Sequence, residues 1–167
     1  MEPVIREGDM RRLIALAAAC AFVVACGGVD QKKFDGVYKS GTALQVEVQS
    51  SGGVLGSQSR DRLKQFDTEI NALRDRTIGT HEADALQAYA EAADAYRFFL
   101  RFRAIDPEGD SGQILLKGPN LEVATRFKLP VETRNGSKWV NRAQAITILL
   151  QAGEQHLSDG NRIVSGQ

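Results

Sequence analysis

Two histidines and twenty-one carboxylates are the chain's material for acid–base or metal chemistry. His81, Glu82 and Asp84 fall within four residues, and on a helix His81 and Asp84 share a face at i and i+3. That pair supplies two ligands at most, and a zinc site needs more from elsewhere in the fold. His81 therefore reads as an exposed first-turn residue. His156 is expected in the last turn of the final helix, where its charged form would complement the dipole. Asp106, Glu108 and Asp110 alternate like the opening of a calcium loop. That template requires Gly at its sixth position and an acid at its twelfth, where this chain has Ser111 and Lys117. A solvated acidic turn is the better reading. Gly52-Gly53-Val54-Leu55-Gly56-Ser57 lacks the Lys-Ser/Thr that completes a phosphate cradle, and reads as a flexible joint. No Gly-x-Ser-x-Gly elbow occurs, so these residues imply no cofactor, no metal and no enzyme.

The thiols are Cys20 and Cys26, and their setting is informative. Residues 1–9 are acidic, whereas Arg11 and Arg12 form a positive start to an uncharged, mostly apolar run from Leu13 to Ala25. Those 13 residues are too few to span a bilayer, which needs about 20. They suit the core of an export signal, with translation expected to start at Met10. The arginine pair lacks the neighbours of a twin-arginine signal. The run ends Val23-Val24-Ala25-Cys26-Gly27-Gly28, which resembles the lipobox of bacterial lipoproteins. The resemblance implies cleavage after Ala25, a diacylglycerol on the Cys26 thiol and acylation of its new amine. Two or three acyl chains anchor a protein stably, whereas one is marginal. Gly27 stands where many inner-membrane lipoproteins carry Asp, so the resemblance further implies an outer-membrane anchor facing the periplasm. A secreted soluble protein whose signal happens to end in Ala-Cys is the competing reading.

Composition agrees with a folded body. Hydrophobic residues make up 43% and charged residues 25%, too apolar for a disordered chain. Lys and Arg balance Asp and Glu at 21 each, so no net field favours nucleic acid. Removing residues 1–25 leaves 142 residues, eighteen charges of each sign and no thiol beyond Cys26, so no disulfide or cysteine-zinc site is expected.

Periodicity predicts an all-α fold: a small antiparallel bundle of about four main helices over 34–160, after a lipidated tether at 26–33 and before a flexible tail at 161–167. Phe34, Val37, Gly41, Leu44 and Val48 recur at helical spacing, although Leu44 to Val48 also alternates like a strand. Leu63, Phe66, Ile70 and Leu73 form the seam of a second helix, with Ser57 or Ser59 as cap and Gly79 as its end. The third runs from a Thr80 cap to Ile105 with two adjacent apolar faces, which makes it central. Leu86, Tyr89, Ala93, Tyr96 and Leu100 lie on one; Ala85, Ala88, Ala92, Phe99 and Phe102 lie on the other. Between 120 and 140 two readings stand: a brief helix capped by Asn120, or a hairpin turning at Asn135-Gly136. A final helix is expected from Ser137, with Trp139, Ala143, Ile146, Leu150, Gly153 and Leu157 on one face and Gly160 at its end.

At the end of the central helix Phe98, Phe99, Leu100 and Phe102 alternate with Arg97, Arg101 and Arg103, so that stretch is apolar nearly all round. Either residues 114–129 pack over it, or Tyr96, Phe98, Phe99 and Phe102 line a groove rimmed by Arg97 and Arg101 that accepts a partner helix or an acyl chain. Taken together, the chain resembles the small helical lipoproteins of bacterial envelopes, which implies no particular activity or ligand. The expected function is a membrane-anchored interaction or accessory module, attached through acyl chains on Cys26 and meeting another envelope protein. A carrier of an apolar ligand near Phe98 and Tyr96 is the alternative, and a carboxylate or His81 enzyme a weaker one.

Overall fold

A computed structural model describes residues 29–50, 57–76, 79–106 and 112–167. The export signal, the lipobox with Cys26, the 52–56 joint and most of the 106–110 acidic turn lie outside the described residues.

Phe34, Val37, Gly41, Leu44 and Val48 are all buried on one face of helix α1 (Gln31–Ser50). The alternation at 44–48 is not used: a strand would bury Val46 with its neighbours, whereas Val46 stays 58% exposed. Asp30 opens the helix by accepting from the Lys32 backbone N–H at 3.1 Å, so residues 31–33, expected in the tether, are helical. Val29 packs against the core. Helix α2 (Ser57–Arg74) buries Leu63, Phe66, Ile70 and Leu73 as its spacing predicts. Ser59, expected as a possible cap, is instead buried within α2, and its hydroxyl has no hydrogen-bond partner.

Gly79 does not end α2, which stops at Arg74; it precedes helix α3 (Thr80–Ala104) as its cap. Thr80 is the first helical residue because the Glu82 carboxylate reaches back to accept from the Gly79 N–H at 3.2 Å. Both apolar faces of α3 are buried, and it packs against α2 on one side and α5 (Arg142–Ser165) on the other. Helices α3 and α5 share the most extensive contact in the bundle. Gly153 and Gly160 of α5 stand seven residues apart and meet Tyr96 and Tyr89 of α3, also seven apart, so the two helices run antiparallel. A Cβ at either glycine would lie 3.0 Å from a tyrosine ring, which explains glycine inside this helix despite its cost of roughly 1 kcal/mol relative to alanine. Tyr89 anchors the centre: its ring stacks on Phe34 at 6.1 Å and meets Phe66 edge-on at 6.2 Å.

The 113–141 stretch departs most from the sequence reading. Helix and hairpin are both present: a short α4 (Pro119–Arg126) and then strands β2 (Val131–Arg134) and β3 (Ser137–Asn141). Asn135 and Gly136 take positive φ of 50° and 76°, the two-residue turn whose twist matches paired strands. Strand β1 (Gln113–Leu115) completes an antiparallel sheet in the order β1-β3-β2. Asn120 lies inside α4, with Gly118 in the cap position and Pro119 first in the helix. Ser137 and Trp139 belong to β3, and the cap of α5 is Asn141, whose Oδ1 accepts from the Gln144 N–H at 3.1 Å. The buried face of α5 is Ala145, Leu149, Gly153, Leu157 and Gly160. Gly153 and Leu157 lie on it as expected, whereas Ala145 and Leu149 take the places expected of Ala143, Ile146 and Leu150, and Ile146 and Leu150 are partly buried beside it. Gly160 is interior and the helix continues to Ser165, closed by Gly166 at φ 74°, so most of the expected tail is ordered helix.

The result is a mostly helical body: four long helices, one short helix and a small sheet at one end. At the other end α1 and α3 begin, and α2 and α5 finish.

Candidate functional site

Along the seam between α2 and α3 the helices part enough to leave two open hollows. The one nearer the sheet, about 380 Å³, has Leu63, Leu100 and Ala104 as its floor and Arg60, Arg97 and Arg101 around it. Its neighbour, about 270 Å³, is polar and lined by Asp67, Asn71, Arg74, Asp94 and Arg97 among others. Arg97 separates the two. Its Nη2 donates to both oxygens of Asp67 at 2.7 and 2.9 Å, and its Nη1 donates to Asp94. The other oxygen of Asp94 accepts from Arg126 at 2.7 Å, so one ionic chain links α2, α3 and α4. Burial works against the charged guanidinium of Arg97, and the bonds to Asp67 outweigh it, holding its pKa above the ordinary value. Arg97 is therefore committed to the fold though still exposed, and Arg60 and Arg101 are the other exposed cations of the hollow.

The local charge balance is one-sided. The first turns of α2 carry Arg60, Arg62 and Lys64, and the last turns of α3 carry Arg97, Arg101 and Arg103, against Asp61, Asp67 and Asp94, with Asp106 just beyond. In a chain of zero net charge this end is a basic pole. Arg142 closes the pole from α5, donating to the last carbonyls of α3 at Phe102 and Arg103.

The phenylalanines expected to line this groove lie elsewhere. Tyr96, Phe99 and Phe102 are in the core, and Phe98 is half-buried against Phe127 of the α4 end, ring centroids 5.9 Å apart. Arg103 lies over the Phe99 ring at 5.3 Å. Residues 114–129 supply the covering that the sequence allowed, through Phe127. Arg97 and Arg101 do border a hollow, but its floor is aliphatic and a third of its lining, Arg60 and Leu63, comes from α2. Arg60 and Leu63 were not legible beforehand, since nothing within one helix reveals which face of another it meets.

Among the described residues no group of three or more His, Cys, Asp or Glu gathers as metal ligands would. His81 is exposed and Glu82 turns away from it into a structural clasp. Besides Gly79, that carboxylate accepts from Lys33 Nζ at 3.0 and 3.1 Å and from the Asp30 N–H at 3.5 Å, tying the starts of α1 and α3 together. The hydrogen bonds from Lys33 hold the Glu82 pKa below the usual carboxylate range. His156 is not at a helix end, because α5 runs on to Ser165; its Nδ1 faces Glu91 of α3 at 3.2 Å. Tyr96 is buried with no hydrogen-bond partner for its hydroxyl, and burial pushes its pKa up. No helix among the described residues is long and apolar enough to cross a membrane. Comparison of the chain with protein-family models, curated proteins and solved structures finds no match.

Proposed function

We propose that the chain is an envelope lipoprotein, held to the membrane by acyl chains on Cys26, whose helical body is a non-enzymatic interaction module. The observation that carries this reading is the lipobox-like Val23-Val24-Ala25-Cys26 at the end of an apolar run too short to span, placed immediately before the fold. Val29 already packs on the core, three residues after Cys26, so the anchor and the domain are adjoined. Gly27 favours the outer membrane and a periplasmic face.

The surface that supports an interaction role is the basic pole. Arg60 and Arg101 beside an aliphatic floor fit an acidic partner segment bearing one aliphatic side chain. Leu63 and Leu100 keep less than a tenth of their surface, so there is little room for a longer apolar group. That geometry counts against the carrier alternative, which requires an enclosed cavity on the order of a few hundred cubic ångströms near Phe98 and Tyr96. Tyr96 is packed against Gly153 instead.

Replacement of Cys26 tests the anchor. Cys26→Ala is expected to abolish incorporation of labelled palmitate and to move the protein out of the outer-membrane fraction. Unchanged fractionation, with no lipid on the wild-type chain, would overturn the reading.

A further inference from the structure

A third hollow lies at the opposite end from the basic pole, where α1 begins and α5 finishes. It holds about 300 Å³, is open to solvent, and is lined by Gln31, Phe34, Asp35, Tyr38, Asn161, Val164 and Ser165. Phe34 is fully buried and Val164 half-buried. Tyr38 stands on the rim and keeps 47% of its surface exposed, alongside Val46 and Val131 one of three large apolar side chains so placed among the described residues. Exposed Lys39, the next residue along the helix from Tyr38, is paired with Asp35 of the lining at 2.6 Å. A half-exposed tyrosine beside a lysine, over an apolar recess, suits the boundary between lipid headgroups and acyl chains: the ring prefers the apolar side and the hydroxyl and ammonium groups the wet side.

Chain geometry supplies the partner. Three residues span at most about 11 Å, so whatever is attached at Cys26 lies within that distance of Val29 and hence close to the start of α1. The basic pole is far from it, since the 25 residues of α3 extend about 37 Å between the two ends. A bundle tethered so briefly at one end has little freedom to turn its other end to the membrane.

We infer that the end of the bundle formed by the start of α1 and the finish of α5 rests on the phospholipid surface, with Tyr38 and the hollow beside it at headgroup depth. The inference rests on the anchoring proposed above and adds an orientation: the lipid surface covers the Tyr38 hollow, and the basic Arg60–Arg101 hollow points away from the membrane.

The chain carries its own distal reporter, because Trp139 is its single tryptophan and lies in β3 at the sheet end. A proximal reporter is made by Tyr38→Trp in a Trp139→Phe background, with Gln31→Trp on the same rim as a second version should the first disturb the fold. The full chain, processed by its host, is reconstituted in phosphatidylethanolamine–phosphatidylglycerol vesicles with and without bromine high on the acyl chains. Intact mass and co-sedimentation establish that the anchor is present. The expected result is at least a twofold loss of emission from the proximal reporters in brominated vesicles, and no change for native Trp139. Acylated, vesicle-bound protein whose proximal reporters are as unquenched as Trp139 would overturn the orientation while leaving the anchor intact. Protein without acyl chains that fails to sediment with vesicles would overturn the anchor, and the orientation with it.

Discussion

Two tyrosines seven residues apart on one helix show how much turns on a single atom. Tyr89 and Tyr96 are both fully buried and both sit against a glycine of α5. The Tyr89 hydroxyl donates to Asn161 Oδ1 at 2.8 Å, whereas that of Tyr96 has no partner. Removing a satisfied hydroxyl costs about 1 kcal/mol, and removing an orphaned one costs nothing or returns its desolvation penalty. Urea titration should therefore find Tyr89→Phe destabilised by about 1 kcal/mol and Tyr96→Phe unchanged or slightly more stable. Glu82 makes a pH-dependent case. Its pKa is lowered in the folded state, chiefly by Lys33, so its contribution is complete above the ordinary glutamate range near 4.5. That contribution fades as pH falls through the lower folded value. Glu82→Gln should lose about 1–2 kcal/mol at neutral pH, and the gap to wild type should close in acid. A gap that stays constant down to acid unfolding would contradict the clasp. The spacing of apolar residues made the tyrosines legible as core. Their partners were not legible, because Asn161 lies 72 residues from Tyr89 in sequence and their meeting depends on the α3–α5 register.

Between elements, periodicity worked where a helix is long and one-faced and failed where elements are short. The seams of α1, α2 and α3 were readable because each repeats over about three or more turns. Residues 113–141 defeated the reading: β1 is three residues long, and α4 packs through Val123 and Ala124 as its fully buried residues. There the Asn135-Gly136 turn was the reliable signal, since positive φ at both positions is a demand few residue pairs meet. Treating helix and hairpin as alternatives missed that eight residues suffice for one and eleven for the other. The hairpin likewise moves the cap of α5 from Ser137 to Asn141 and takes Trp139 out of the helix. The arginine groove was half legible, as its α3 side is local and its α2 side is tertiary. Its role is open to a direct test. Arg60→Glu with Arg101→Glu touches two exposed side chains and should leave the unfolding midpoint within about 0.5 kcal/mol of wild type. The same double reversal should abolish crosslinks from the pole to acidic partner segments. Undiminished crosslinking at unchanged stability would remove the basic pole as the docking surface.

At the scale of the molecule, charge and the proposed anchor point in opposite directions along one axis. The chain is neutral overall, yet its cations gather at the sheet end while its fold begins three residues from Cys26 at the other. An object tethered at one pole and charged at the other presents the charged pole to whatever lies beyond the membrane surface. Neither pole was visible as such in the sequence, because an axis exists only once the helices are stacked. The lipobox resemblance alone was legible residue by residue, and it is the premise on which the rest depends. Intact mass spectrometry of the protein extracted from its host's membranes tests it most directly. The account predicts a chain beginning at Cys26 and heavier than its residues by a diacylglycerol and an additional acyl group. A chain that begins elsewhere, or carries a free thiol at Cys26, would contradict it.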